Sequence, residues 1–78
     1  MHIRLVKRKE GNGTEKAGFV ETVVFNVDCY VLHSNDLSGD ELVIYKGDSK
    51  NHYINLNADN FYVMNDNGNT IDKGIIKE

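Results

Sequence analysis

The chain has no proline, no tryptophan and a single cysteine among its 78 residues, and each shortage excludes something. A lone Cys29 cannot form an internal disulfide, so no covalent staple holds the fold and a reducing, cytoplasmic setting is expected. Paired Cys/His spacings of a structural zinc site are missing, because His2, His33 and His52 stand far apart in the sequence. No apolar run approaches the roughly 18–20 residues that span a bilayer. The opening Met-His-Ile-Arg-Leu-Val-Lys-Arg-Lys has no apolar segment ahead of a small-residue cleavage site, so it does not read as a secretory signal. Helical periodicity is also lacking. Only Ser34–Leu37 and Asn57–Phe61 compete as single helical turns, with Ser34, Asn57 or Asp59 as N-caps.

What is present is strand. Phe19 to His33 is a fifteen-residue stretch rich in Val, Phe and Tyr with no Gly or Pro inside it, a β signature. Its length exceeds the usual five or six residues, so it should bend, with Asn26 and Asp28 marking the place. By alternation, Val23, Phe25, Val27, Cys29 and Val31 form an unbroken apolar row, expected to face a core, with Cys29 as a small buried residue. The other row, Thr22, Val24, Asn26, Asp28, Tyr30 and Leu32, is mixed and should face something wetter.

Around this spine the chain reads as strands separated by turns. His2–Lys9 has Ile3 and Leu5 on one side, and the glycine-rich segment 10–18, with Asn12-Gly13 as its turn pair, closes a hairpin onto the spine. Gly39 is expected at positive φ in the next turn. Leu42–Lys46 points Leu42 and Ile44 inward, and His52–Leu56 points Ile54 and Leu56 inward. Phe61–Met64 carries Phe61 and Val63 on one face, and Thr70–Lys77 ends the chain. The last hairpin admits two registers, one setting Val63 opposite Asp72 and the other setting Phe61 opposite Ile75, with Gly74 placed for a bulge. The fold class is all-β: a six-stranded antiparallel meander curled into a small barrel or a two-layer sheet, in one domain, 1–78.

Candidate sites are few. Tyr30, Tyr45, Tyr53 and Tyr62 each fall on the parity opposite to the assigned core row, joined by Met64. They define a nominal tyrosine face suited to a protein partner or a second copy. The charge is uneven: residues 1–18 carry +3 and residues 19–78 carry −6. The basic first element, Arg4, Lys7, Arg8, Lys9 and Lys16, supports the alternative of a small nucleic-acid-binding barrel, although charges on an edge strand also guard against aggregation.

Other motifs dissolve on inspection. Cys29 and His33 lie about 13 Å apart along an extended strand, too far for a thiol–imidazole pair. Asn65–Asn69 lacks the first acid and last glutamate of a calcium loop. Gly11-Asn12-Gly13 lacks the strand–helix setting of a dinucleotide loop. No cofactor, metal or catalytic constellation is implied. The expected function is a non-enzymatic interaction module, and no membrane association is expected. Ten asparagines, and seven lysines against two arginines, are the usage of an AT-rich coding source such as a low-GC bacterium or its phage.

Overall fold

The computed structural model describes residues 1–11, 13 and 16–77; the turn expected at Asn12-Gly13 lies partly outside them. Among the described residues seven strands form: β1 His2–Lys9, β2 Gly18–Val24, β3 Cys29–His33, β4 Glu41–Lys46, β5 Ser49–Ile54, β6 Asn60–Met64 and β7 Thr70–Ile75. They make two antiparallel sheets, β2-β1-β6-β7 and β3-β4-β5. The all-β, two-layer architecture is as the sequence indicated. The sheets do not close into a barrel, and the strand count is seven because the spine divides between both layers.

That division falls at the expected bend. Asn26 has φ 58°, a left-handed conformation that Asn tolerates better than most residues. The chain leaves one sheet there and enters the other. Val27 N–H donates to Met1 O at 2.8 Å, and Asp28 N–H donates to Tyr45 O at 2.9 Å. The Asp28 carboxylate then accepts from Gly47 N–H, clamping the corner to the β4–β5 turn. This turn has Gly47-Asp48 between the paired Lys46 and Ser49, with Gly47 at φ 58°, which suits the right-handed twist of a tight hairpin. Gly39 is also at positive φ, 85°.

The order is not a simple meander. Ile54 O accepts from Asn57 and Ala58, and Asp59 N–H donates to Val6 O at 2.9 Å. This tight turn carries the chain back to the first sheet, where β6 pairs with β1 instead of β5.

The core lies between the layers. Ile3 and Leu5 of β1, Phe61 and Val63 of β6, and Leu42 and Ile44 of β4 are all buried, with Val27, Ala58 and Ile76 completing the cluster. Directly opposed residues in an antiparallel pair share a face, so Ile3↔Val24 and Ile3↔Val63 place Val24, Thr22 and Val20 on the inner side of β2. Tyr30↔Ile44 and Leu42↔Tyr53 likewise turn Tyr30 and Tyr53 inward.

Several expected orientations are therefore corrected. Of the apolar spine row only Val27, at the corner, is buried; Val23, Phe25, Cys29 and Val31 are exposed. Ile54 and Leu56 are exposed too, because Tyr53 takes the inward position and Leu56 falls in the turn after β5. In the last hairpin Val63 faces Asp72 and Phe61 faces Gly74. The bulge sits at Ile71, the residue skipped between the Val63↔Asp72 and Met64↔Thr70 pairs. Gly74 serves instead to seat the Phe61 ring.

Candidate functional site

The four tyrosines do not share a face. Tyr30 and Tyr53 pack against the core cluster, and Tyr30 lies edge-on to Phe61 with ring centroids 6.1 Å apart. The Tyr30 hydroxyl reaches across the layers to the Asp72 carboxylate. That bond, helped by desolvation and the Asp72 charge, pushes the Tyr30 pKa up to about 12 and holds the Asp72 carboxyl below its usual range. Tyr45 sits on the outer face of the three-stranded sheet beneath Lys50, whose ammonium is 5.9 Å from the ring centre. Tyr62 sits on the outer face of the four-stranded sheet under Arg4, 5.6 Å away. Met64 shares that outer face, half-buried, opposite His2. The tyrosines of β3 and β5 face the core because the facing of those two strands is the reverse of the expected one. Tyr45 and Tyr62 do face outward, but on different sheets, so no single surface forms.

The basic residues are also divided. Arg4 and Arg8 lie on the outer face of β1, while Lys7 and Lys9 lie on the row of Ile3 and Leu5. Arg4 forms an ion pair with Glu21. Lys7 Nζ donates to Asn55 O at 2.7 Å and bonds Asp59 Oδ1 at 3.3 Å. Asp59 Oδ2 accepts the Arg8 N–H at 2.7 Å, and this bond, with Lys7, keeps the Asp59 carboxyl below its usual range. With both oxygens engaged and the group ionised, Asp59 ties β1 to the start of β6 and is not poised as a general acid. Lys16 lies exposed in the segment before β2.

His2 meets Phe25 edge-on at 5.0 Å, His33 ends β3, and His52 bonds Glu41 on the outer face of the small sheet. Among the described residues no three His, Cys, Asp or Glu side chains gather as metal ligands.

What the fold does assemble is an apolar margin that includes Val23 and Phe25, two residues the alternation assigned to the core. Phe19 is 71% exposed, Phe25 56%, Val20 51% and Val23 38%. Phe19 and Val23, flanking Glu21, occupy the outer row of β2, opposite Arg8 and Arg4 of β1. Behind them, on the same outer face, Val6, Asn60, Tyr62 and Ile75 line two adjoining clefts that meet at Asn60. The signal that would have revealed this was Glu21. It shares a row with Phe19 and Val23, and a charge in a row assigned to the core argues that the row faces water. Compared with protein-family models, curated proteins and solved structures, the chain matches none.

Proposed function

We propose that the chain is a non-enzymatic protein-interaction module, acting in the cytoplasm, whose contact surface is the β2 margin of the four-stranded sheet: Phe19, Val23 and Phe25, with Tyr62 and Met64 behind them. One observation carries this reading. In the spine, Val23, Phe25, Cys29 and Val31 of the more apolar row lie exposed, whereas Val24 and Tyr30 of the mixed row pack against the core. A local pattern that contradicts burial is a mark of a surface shaped for something other than folding, and clustered exposed apolar side chains mark contact sites. The lone, exposed Cys29 fits a compartment that keeps thiols reduced. No helix among the described residues is long and apolar enough to cross a membrane.

The test is affinity capture from the source cells with three baits: wild type, Phe19→Ser/Val23→Ser, and Leu37→Ser as a control at a remote site that is 99% exposed. A partner, or the chain itself, retained by wild type and the control but lost by the double variant is expected. An identical captured set for all three baits defeats the reading.

A second reading has its own observation. Arg4, Arg8 and Lys73 lie on the outer face around Tyr62, an arrangement of cations and a ring suited to a single-stranded nucleic acid. Against it, Glu21 already engages Arg4, and Lys7 and Lys9 face the other way. Binding that weakens steeply with salt, and less steeply after Lys73→Ala, is the outcome this alternative requires.

A further inference from the structure

Strand β2 is an edge with few guards. Natural edges are blunted by lysine, proline, bulges or shortness. β2 runs seven residues with no Lys, Arg or Pro, pairs with β1 without a register shift, and has its one charge, Glu21, engaged by Arg4. The opposite edge, β7, carries Lys73 and the Ile71 bulge. Edge β5 carries Lys50 and the His52–Glu41 pair. Edge β3 is only five residues long, with Tyr30 committed inward.

The exposed area leaves room for a partner of standard interface size. The chain exposes 5569 Å², whereas a compact monomer of 8.8 kDa exposes about 4,800 Å². The excess, about 800 Å², is what one partner buries in a standard-size interface.

Resting on the interaction reading above, we propose that β2 pairs antiparallel with β2 of a second copy of this chain, joining two four-stranded sheets into one of eight across a two-fold axis at Thr22. The register follows from the side chains. Opposed residues share a face, so the axis must pass at a residue position. An axis at Glu21 opposes two like charges, which is unfavourable. Axes at Val20 or Val23 shorten the overlap and oppose Phe19 or Phe25 to Glu21. At Thr22 the pairs are Thr22 with Thr22, Val20 with Val24, Glu21 with Val23, and Phe19 with Phe25. Each aromatic then meets an aromatic, and no like charges are opposed.

Sedimentation equilibrium of the purified chain at tens of micromolar tests this. Wild type and Leu37→Ser should sediment at twice the chain mass. Thr22→Lys and Thr22→Glu should each weaken association at least tenfold while keeping the wild-type circular dichroism, and mixing the two in equal amounts should restore the dimer. If either charged variant fails to fold, Thr22→Cys in a Cys29→Ser background replaces it and should oxidise to a covalent dimer. A monomeric wild type at high micromolar concentration, a dimer that ignores the charge at Thr22, or no cross-link overturns the inference. A monomer that still captures a different protein through Phe19 and Val23 would leave the broader interaction reading standing.

Discussion

The ring of Phe61 lies against the backbone of Gly74, with no room for a side chain between the two strands. A β-carbon built on Gly74 would sit 2.5 Å from Phe61 Cε1 and 2.6 Å from Cζ, inside any real contact distance. Phe61 is itself buried in the core cluster. Gly74→Ala should therefore destabilise the fold by about 1–3 kcal/mol, the cost of overpacking. Urea unfolding checks it, and in the Phe61→Leu background the same substitution should cost less.

The Tyr30–Asp72 bond gives a spectroscopic handle. Ultraviolet titration should show one phenol ionising at about 12. Asp72→Asn should lower that value, and Tyr30→Phe should remove the late step. Because the folded-state value is raised above the unfolded value of about 10, the bond's contribution is complete below about pH 10. It is lost as pH rises through the folded value.

Acid works in the opposite direction. Asp59 and Asp72 are both held below the usual carboxylate range, so their contribution is present above about pH 4 and drains away as pH falls through the lowered values. Asp59→Asn and Asp72→Asn should each flatten the acid limb of a stability-versus-pH curve measured by denaturant unfolding. An unchanged slope in both would show that these bonds do not persist in solution.

At the corner, Asn26 at φ 58° should accept Gly with little change, whereas Asn26→Ala should cost about 1 kcal/mol through left-handed strain. Thermal melts of the two variants make the comparison. A corner that tolerates Ala as well as Gly would mean that the backbone relaxes there.

The central strands were legible in the sequence because alternation there reports burial. Ile3 and Leu5, Leu42 and Ile44, and Phe61 and Val63 all face the core, since each of these strands is flanked on both sides and has one wall to fill. The spine was legible in kind and in its bend, but not in its facing. An edge strand buries little on either side, so its apolar row carries no information about where the core is. Ile54 and Leu56 failed for a related reason: Tyr53 reaches further into the interior than an aliphatic side chain and claims the inner row of β5. The tyrosine face failed for two reasons. Tyr30 and Tyr53 turn toward the core, and Tyr45 and Tyr62, though outward, belong to different sheets, a property of the tertiary arrangement that parity along one strand does not report. Strand-to-strand partnership was least legible. Nothing local in β1 announces that β6 will lie beside it.

That partnership sets the order of assembly. The N-terminal hairpin holds Ile3 and Leu5, but the residues that cover its far flank, Phe61 and Val63, are synthesised more than fifty positions later. Until the ribosome has delivered them, half of the larger layer exists without its neighbour and its greasy side is open to any passing chain. Non-local pairing of this kind slows folding and prolongs exposure to aggregation. Permuting the chain so that β6–β7 precedes β1 would bring the paired β1 and β6 close in sequence, with only β7 between them, at the expense of a new break in the β5–β6 turn.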